Sequence, residues 1–155
     1  MGFRGSSVHT ISDNGRVSIP SKIRDVLRRN YSDESMVLVV NRAPDRVCLV
    51  AFPAQEWEKV EKGLMNWQNR QEADAARKIS AGSEDVTIDK QGRILISQAL
   101  RTKAGLSGEC VIIGLDDRLE IWDKACWDAW DSNTLTERPD DGDERLGSQF
   151  NKLYY

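Results

Sequence analysis

The chain contains one ten-residue pattern twice, and no other feature restricts its fold as strongly. Ile11-Ser12-Asp13-Asn14-Gly15-Arg16-Val17-Ser18-Ile19-Pro20 returns 77 positions later as Ile88-Asp89-Lys90-Gln91-Gly92-Arg93-Ile94-Leu95-Ile96-Ser97. Ile11/Ile88, Gly15/Gly92, Arg16/Arg93 and Ile19/Ile96 are identical, and the match runs on to Arg24/Arg101. A Gly-Arg pair alone carries little information. Bracketed twice by the same apolar alternation and the same downstream arginine, it marks an internal duplication.

In each copy apolar and polar residues alternate on both sides of the glycine, the pattern of a half-buried strand. Asn14-Gly15 is a short-range hairpin signal, because glycine supplies the positive φ of a tight turn, and Gln91-Gly92 is a weaker form of it. Each copy is therefore expected to fold as strand, tight turn, strand, a hairpin with Arg16 or Arg93 leaving its tip. After the first copy, Pro20 with Ile23, Val26 and Leu27 predicts a short amphipathic helix, and Ser97 stands at the equivalent helix start in the second. Two β-branched runs follow, Val37–Val40 and Val47–Phe52, joined by a turn-rich connector over 41–46. The second half answers with Cys110–Gly114 and Leu119–Trp122. Trp57, Val60, Leu64 and Trp67 recur at helical spacing, a polar break follows over 66–71, and helical composition resumes to about residue 79.

The expected division is a first half at 6–53, a connecting helical segment at 54–82, a second half at 83–124, and a short C-terminal helix with a mobile acidic tail at 125–155. Trp122, Trp127 and Trp130 are expected on or just before that last helix, repeating the role of Trp57. No apolar run is long enough to span a bilayer, and no signal peptide is expected. Cys48, Cys110 and Cys126 are odd in number and widely spaced, which argues against a disulfide framework or a zinc site. With His9 the only histidine, no metal and no cofactor is expected. The net charge of −3 is unevenly spread. Residues 1–30 hold six basic and two acidic residues, and residues 86–105 four basic and one acidic, whereas residues 116–155 hold five basic and eleven acidic. Positive charge thus coincides with the two motif copies, and it is local field that steers a polyanion.

Phe3-Arg4-Gly5, His9-Thr10, Gly15-Arg16-Val17-Ser18-Ile19-Pro20 and Asp89-Lys90-Gln91-Gly92-Arg93-Ile94-Leu95-Ile96 together resemble the MraZ family of bacterial transcriptional regulators, over about residues 1–130. The resemblance implies an α+β fold: two tandem AbrB-like (SpoVT-AbrB) halves of the double-split β-α-β, swapped-hairpin type, forming a pseudo-symmetric β-barrel-like core with flanking helices. It also implies a cytoplasmic, nucleoid-associated homo-oligomeric ring, commonly an octamer. Such a ring would bind short tandem DNA repeats upstream of its own operon of division and cell-wall genes and repress it. The sequence departs from the family pattern at Ser12, where the family has Asp as at Asp89, at Asn14 in place of Lys, and at Ser97 in place of Pro.

These readings converge on sequence-specific binding of double-stranded DNA without catalysis. Arg16 and Arg93 are the expected base readers, since an arginine fork matches guanine O6 and N7 in the major groove. Asn14, Gly15, Lys90, Gln91 and Gly92 form the tips, and Asp89 is expected to orient Arg93 or satisfy turn backbone. Arg4, Lys22, Arg24, Arg101 and Lys103 are candidate phosphate contacts; for Arg24 and Arg101, pairing with a carboxylate inside the half has equal standing. The Trp57-bearing helix is expected to make the subunit contacts, and neither a membrane nor a small-molecule substrate is expected as a partner. The alternative function is an AbrB-type antitoxin or interaction module that neutralises a protein partner. An enzyme is disfavoured because one histidine allows no Ser-His-Asp or Cys-His constellation and no phosphate-cradling glycine loop is present.

Overall fold

The computed structural model describes residues 2–136. In chain order the elements are β1 (Ser6–Thr10), β2 (Arg16–Ser18), α1 (Ser21–Asn30), β3 (Ser35–Ala43), β4 (Arg46–Pro53), α2 (Ala54–Leu64), α3 (Arg70–Gly82), β5 (Glu84–Thr87), β6 (Arg93–Leu95), α4 (Gln98–Ala104), β7 (Glu109–Leu115), β8 (Arg118–Asp123) and α5 (Lys124–Thr136). The fold is α+β. Six strands form one antiparallel sheet in the order β1-β7-β8-β4-β3-β5, and β2 and β6 form a separate two-stranded ribbon. Exchanging each strand with its counterpart in the other half reproduces the same sheet order in reverse, so the duplication appears as a pseudo-twofold in the topology.

Two expectations are corrected here. The sheet is open, with β1 and β5 at its edges, and does not close into a barrel. Nor does either motif copy form a local hairpin. The chain turns tightly at 12–15 and at 89–92, with the Gly15 N–H donating to the Ser12 carbonyl and the Gly92 N–H to that of Asp89 (2.9 Å each). The flanking strands then part: β1 pairs with β7, β5 with β3, and β2 with β6. Each pairing joins one half to the other. The β3–β4 hairpin also runs further than expected, with register kept to Ala43↔Arg46.

At its central strands β3 and β4 the sheet is buried on both faces, which explains their unbroken β-branched runs. Alternate residues face opposite cores, as the period of two demands. One core joins Met36, Leu38, Leu49, Ala51, Ile112 and Ile121 of the sheet to Val17, Ile19, Ile94 and Ile96 of the ribbon strands and their ends. Ile23, Val26 and Leu27 of α1 and Leu100 and Ala104 of α4 complete it. The other joins Val37, Val39, Cys48, Val50 and Phe52 to α2 and α3, with Trp127 and Trp130 of α5 packed against Trp122.

Trp57, assigned from sequence to subunit contacts, is instead 7% exposed, its ring centroid 5.4 Å from that of Phe52. Trp57, Val60 and Leu64 of the expected stripe pack on the chain's own sheet, whereas Trp67 lies beyond α2 and is 45% exposed. Cys48 and Cys110 are buried strand residues, and burial pushes the Cys110 thiol up to about 11. The tail that was expected to be mobile falls almost entirely outside the described residues.

Candidate nucleic-acid interface

The ribbon brings the two copies of the motif together. Its register pairs Arg16 with Leu95, Val17 with Ile94 and Ser18 with Arg93. Beyond these pairs, the Ile19 N–H donates to the Gly92 carbonyl and the Ile96 N–H to the Gly15 carbonyl (2.8 Å each). By the alternation of antiparallel ladders, Arg16/Leu95 and Ser18/Arg93 are then the non-hydrogen-bonded pairs, whose side chains stand closest. Residues directly opposite share a face, so Val17 and Ile94 point into the core at 1% exposure each. Arg16, Ser18, Arg93 and Leu95 share the outer face. Arg16 and Arg93 are diagonal neighbours on it, roughly 7–8 Å apart.

At each end of the ribbon a tight turn holds its arginine by the backbone. Asp89 Oδ1 accepts the N–H groups of Gln91 and Arg93 (2.9 Å each), and its Oδ2 lies 3.6 Å from Arg93 Nε. The Arg93 N–H bond, then the Gln91 N–H bond and the charges of Arg93 and Arg16, hold the Asp89 carboxyl below its usual range. Asp89 thus satisfies turn backbone and orients Arg93, whose side chain keeps 37% exposure. Ser12 takes over the first of these tasks in the other copy. Its Oγ accepts the Arg16 N–H at 3.0 Å and donates to Asn14 Oδ1. The departure at Ser12 therefore preserves the turn but places no carboxylate beside Arg16, which forms no ion pair among the described residues.

Gly15 and Gly92 have φ of +92° and +78°, and each is covered by the other half. A Cβ on Gly15 would stand 2.4 Å from the Ile96 carbonyl oxygen and 3.1 Å from Arg101 Nε; one on Gly92 would stand 2.7 Å from Arg24 Cζ. Arg24 and Arg101 thus lie across the opposite copy's turn. Their Nε groups donate to the carbonyls of Ile19 and Ile96 (3.1 Å each), and Arg101 reaches the Asp13 carbonyl at 3.4 Å. The carboxylate pairing that the sequence left open does not occur among the described residues: these guanidiniums bind backbone carbonyls and hold the ribbon.

Asn14, Lys90 and Gln91 are exposed at the turns, and Lys22 and Lys103 are exposed on α1 and α4. Arg4 is not brought to the ribbon. It lies beside Gly114, beyond the opposite end of β1 from the Ser12 turn, and β1 itself spans roughly 13 Å at ~3.3 Å per residue. Sequence reasoning passed over Ser18 and Leu95. Parity alone could have found them, since residues two apart on a strand share a face.

A family model described as "MraZ protein, putative antitoxin-like" matches residues 79–148. A transcriptional regulator MraZ from Syntrophobacter fumaroxidans is 39% identical over 129 residues, covering 82% of this chain and 83% of the relative. Another from Desulforapulum autotrophicum is 36% identical over 135 residues, covering 87% and 88%. The solution structure of PHS018 from Pyrococcus horikoshii aligns with 78% of this chain and 89% of its own, at a TM-score of 0.37 and 15% identity, too distant a likeness to bear on fold or function. At the identity and coverage of these two regulators, the chain belongs to the MraZ family.

Proposed function

We propose that this chain is a DNA-binding transcription regulator that lays its β2–β6 ribbon along the major groove. A single observation carries this reading: Arg16 and Arg93, far apart in sequence, stand on one outward face of one ribbon whose other face is locked into the core. The major groove admits a two-stranded ribbon, and an arginine fork on guanine O6 and N7 is worth about 1–3 kcal/mol of discrimination. A separation of roughly 7–8 Å matches about two base-pair steps of ~3.4 Å. Two guanines two steps apart are therefore the natural targets. Asn14, Lys90 and Gln91 flank them, and Lys22 and Lys103 supply phosphate contacts. Arg24 and Arg101 act indirectly, by holding the turns. The name of the regulators in the two relatives supports the same function.

One ribbon offers few base contacts, so specificity rests on several copies engaging tandem repeats together. The finer reading is a homo-oligomeric ring of tandem AbrB-type chains that represses its own division and cell-wall operon. Strand exchange between the halves supports the AbrB-type plan. The antitoxin alternative draws on the AbrB-type resemblance and the acidic C-terminal composition, with the wording of the family description beside them. Footprinting on the DNA upstream of the chain's own gene tests the proposal with Arg16→Ala, Arg93→Ala and the double variant. Each single change should weaken protection about 5–150-fold, by the energy of one fork. Undiminished protection by the double variant refutes it.

A further inference from the structure

The two ends of the ribbon are not equivalent. Pseudo-symmetry equates Ser18 with Leu95, and register places Leu95 directly across from Arg16 and Ser18 directly across from Arg93. One arginine therefore has an apolar neighbour and the other a hydroxyl. Leu95 is 49% exposed on a strand whose adjacent Ile94 and Ile96 are 1% and 0% exposed. Parity aims it outward with the arginines and leaves it no part in the core. A leucine held there has little to gain from water, whereas in the major groove one apolar group is on offer, the C5-methyl of thymine.

Resting on the DNA-binding reading above, we infer that Leu95 is a specificity-determining residue that packs on a thymine methyl beside the base read by Arg16. Its replacement by Ser18 at the symmetric position makes the base-facing side of the ribbon unequal at its two ends. The turns that flank the two arginines already differ, Asp13 and Asn14 at one end standing where Lys90 and Gln91 stand at the other. Leucine at one end and serine at the other extend that asymmetry to the face that meets the base edges.

The probe is a 24-base-pair duplex selected by the wild-type chain from a randomised pool, then resynthesised with each thymine replaced in turn by deoxyuridine. That change deletes the methyl and leaves base pairing intact. Wild type should lose about fourfold in affinity at one position, the worth of roughly one buried methyl group. Leu95→Ala should bind the parent duplex about that much more weakly and show no loss at that position. The exchange variant Ser18→Leu/Leu95→Ser should move the sensitive thymine to the other end of the footprint. Both sites are exposed, and unchanged melting temperatures will show that the variants fold. Leu95→Ala keeping the full deoxyuridine penalty overturns the inference. So does a wild-type chain indifferent to every substitution while Arg93→Ala abolishes binding; in that case the DNA-binding reading survives. A double Arg16→Ala/Arg93→Ala variant that holds the duplex as tightly as wild type, or a pool that yields no preferred sequence, overturns both.

Discussion

Replacing Gly15 by alanine should destabilise the chain more than the same change at Gly92, and far more than at Gly5. All three glycines have φ between +78° and +92°, so an added Cβ brings a comparable backbone strain of about 1–2 kcal/mol at each. What differs is the surroundings. At Gly5 nothing lies within 4 Å of the new Cβ. At Gly92 the nearest atoms belong to the Arg24 guanidinium, whose mobile end can rotate away at the expense of its bond to the Ile19 carbonyl. At Gly15 the nearest atom is the Ile96 carbonyl oxygen, 2.4 Å away on the facing strand, and no rotamer relieves that clash. The ribbon must open there, which strains the bond from the Ile96 N–H to Gly15 and that from Arg101 Nε to Ile96. One neutral and one charge-assisted hydrogen bond together are worth roughly 2–4 kcal/mol. At 2–4 °C per kcal/mol for a chain of this size, Gly15→Ala should melt about 4–16 °C below Gly5→Ala. Thermal unfolding followed by circular dichroism, at one protein concentration, measures the difference. Equal melting temperatures for the two variants would mean that the cross-half closure of the ribbon contributes nothing to stability.

Three further outcomes can be checked on the same protein. Trp57→Ala should cost about 3–5 kcal/mol as a core cavity, visible as a large drop in melting temperature; a variant that only changed the sedimentation coefficient would return Trp57 to a subunit interface. Arg101→Ala should lose about 1–2 kcal/mol through its freed carbonyl acceptors, while Lys103→Ala should stay within about 0.5 kcal/mol, and urea denaturation showing the two alike would remove Arg101 from its structural role. Asp89 has a depressed carboxyl pKa in the folded chain, so its contribution to stability is complete above its ordinary value of 3.8 and is lost as pH falls through the lower folded value. Asp89→Asn should accordingly flatten the acid limb of stability against pH in that window, and an unaltered limb in urea titrations would contradict the assigned hydrogen bonds.

Much of the molecule was legible in its residues because the relevant forces are local. The duplication, the tight turns at Gly15 and Gly92 and the helix starts at Pro20 and Ser97 follow from backbone preferences over a few residues. The same holds for the unbroken apolar runs of central strands covered on both sides. The outward aim of Arg16 and Arg93 also follows, since their neighbours Val17 and Ile94 must point the other way. Asp89 could be assigned to turn backbone from its type and place alone.

What the sequence could not settle was which strand meets which. Asn14-Gly15 favours a turn whether the strands beyond it pair with each other or separate, and loop-closure entropy rises only logarithmically with length. Pairing β2 with β6 across the duplication is therefore not prohibitively unfavourable against a local hairpin. The choice falls to burial: only the cross-half ribbon seats Val17, Ile19, Ile94 and Ile96 together on one face of the sheet. The same ambiguity misplaced Trp57, because an amphipathic stripe looks identical whether its own sheet or another subunit covers it. The sequence determined two tight turns and the arginine that follows each. The tertiary structure decided that they form one surface, with Leu95 and Ser18 as its unequal ends, because strand partners are chosen by a shared core and not by the residues adjacent in the chain.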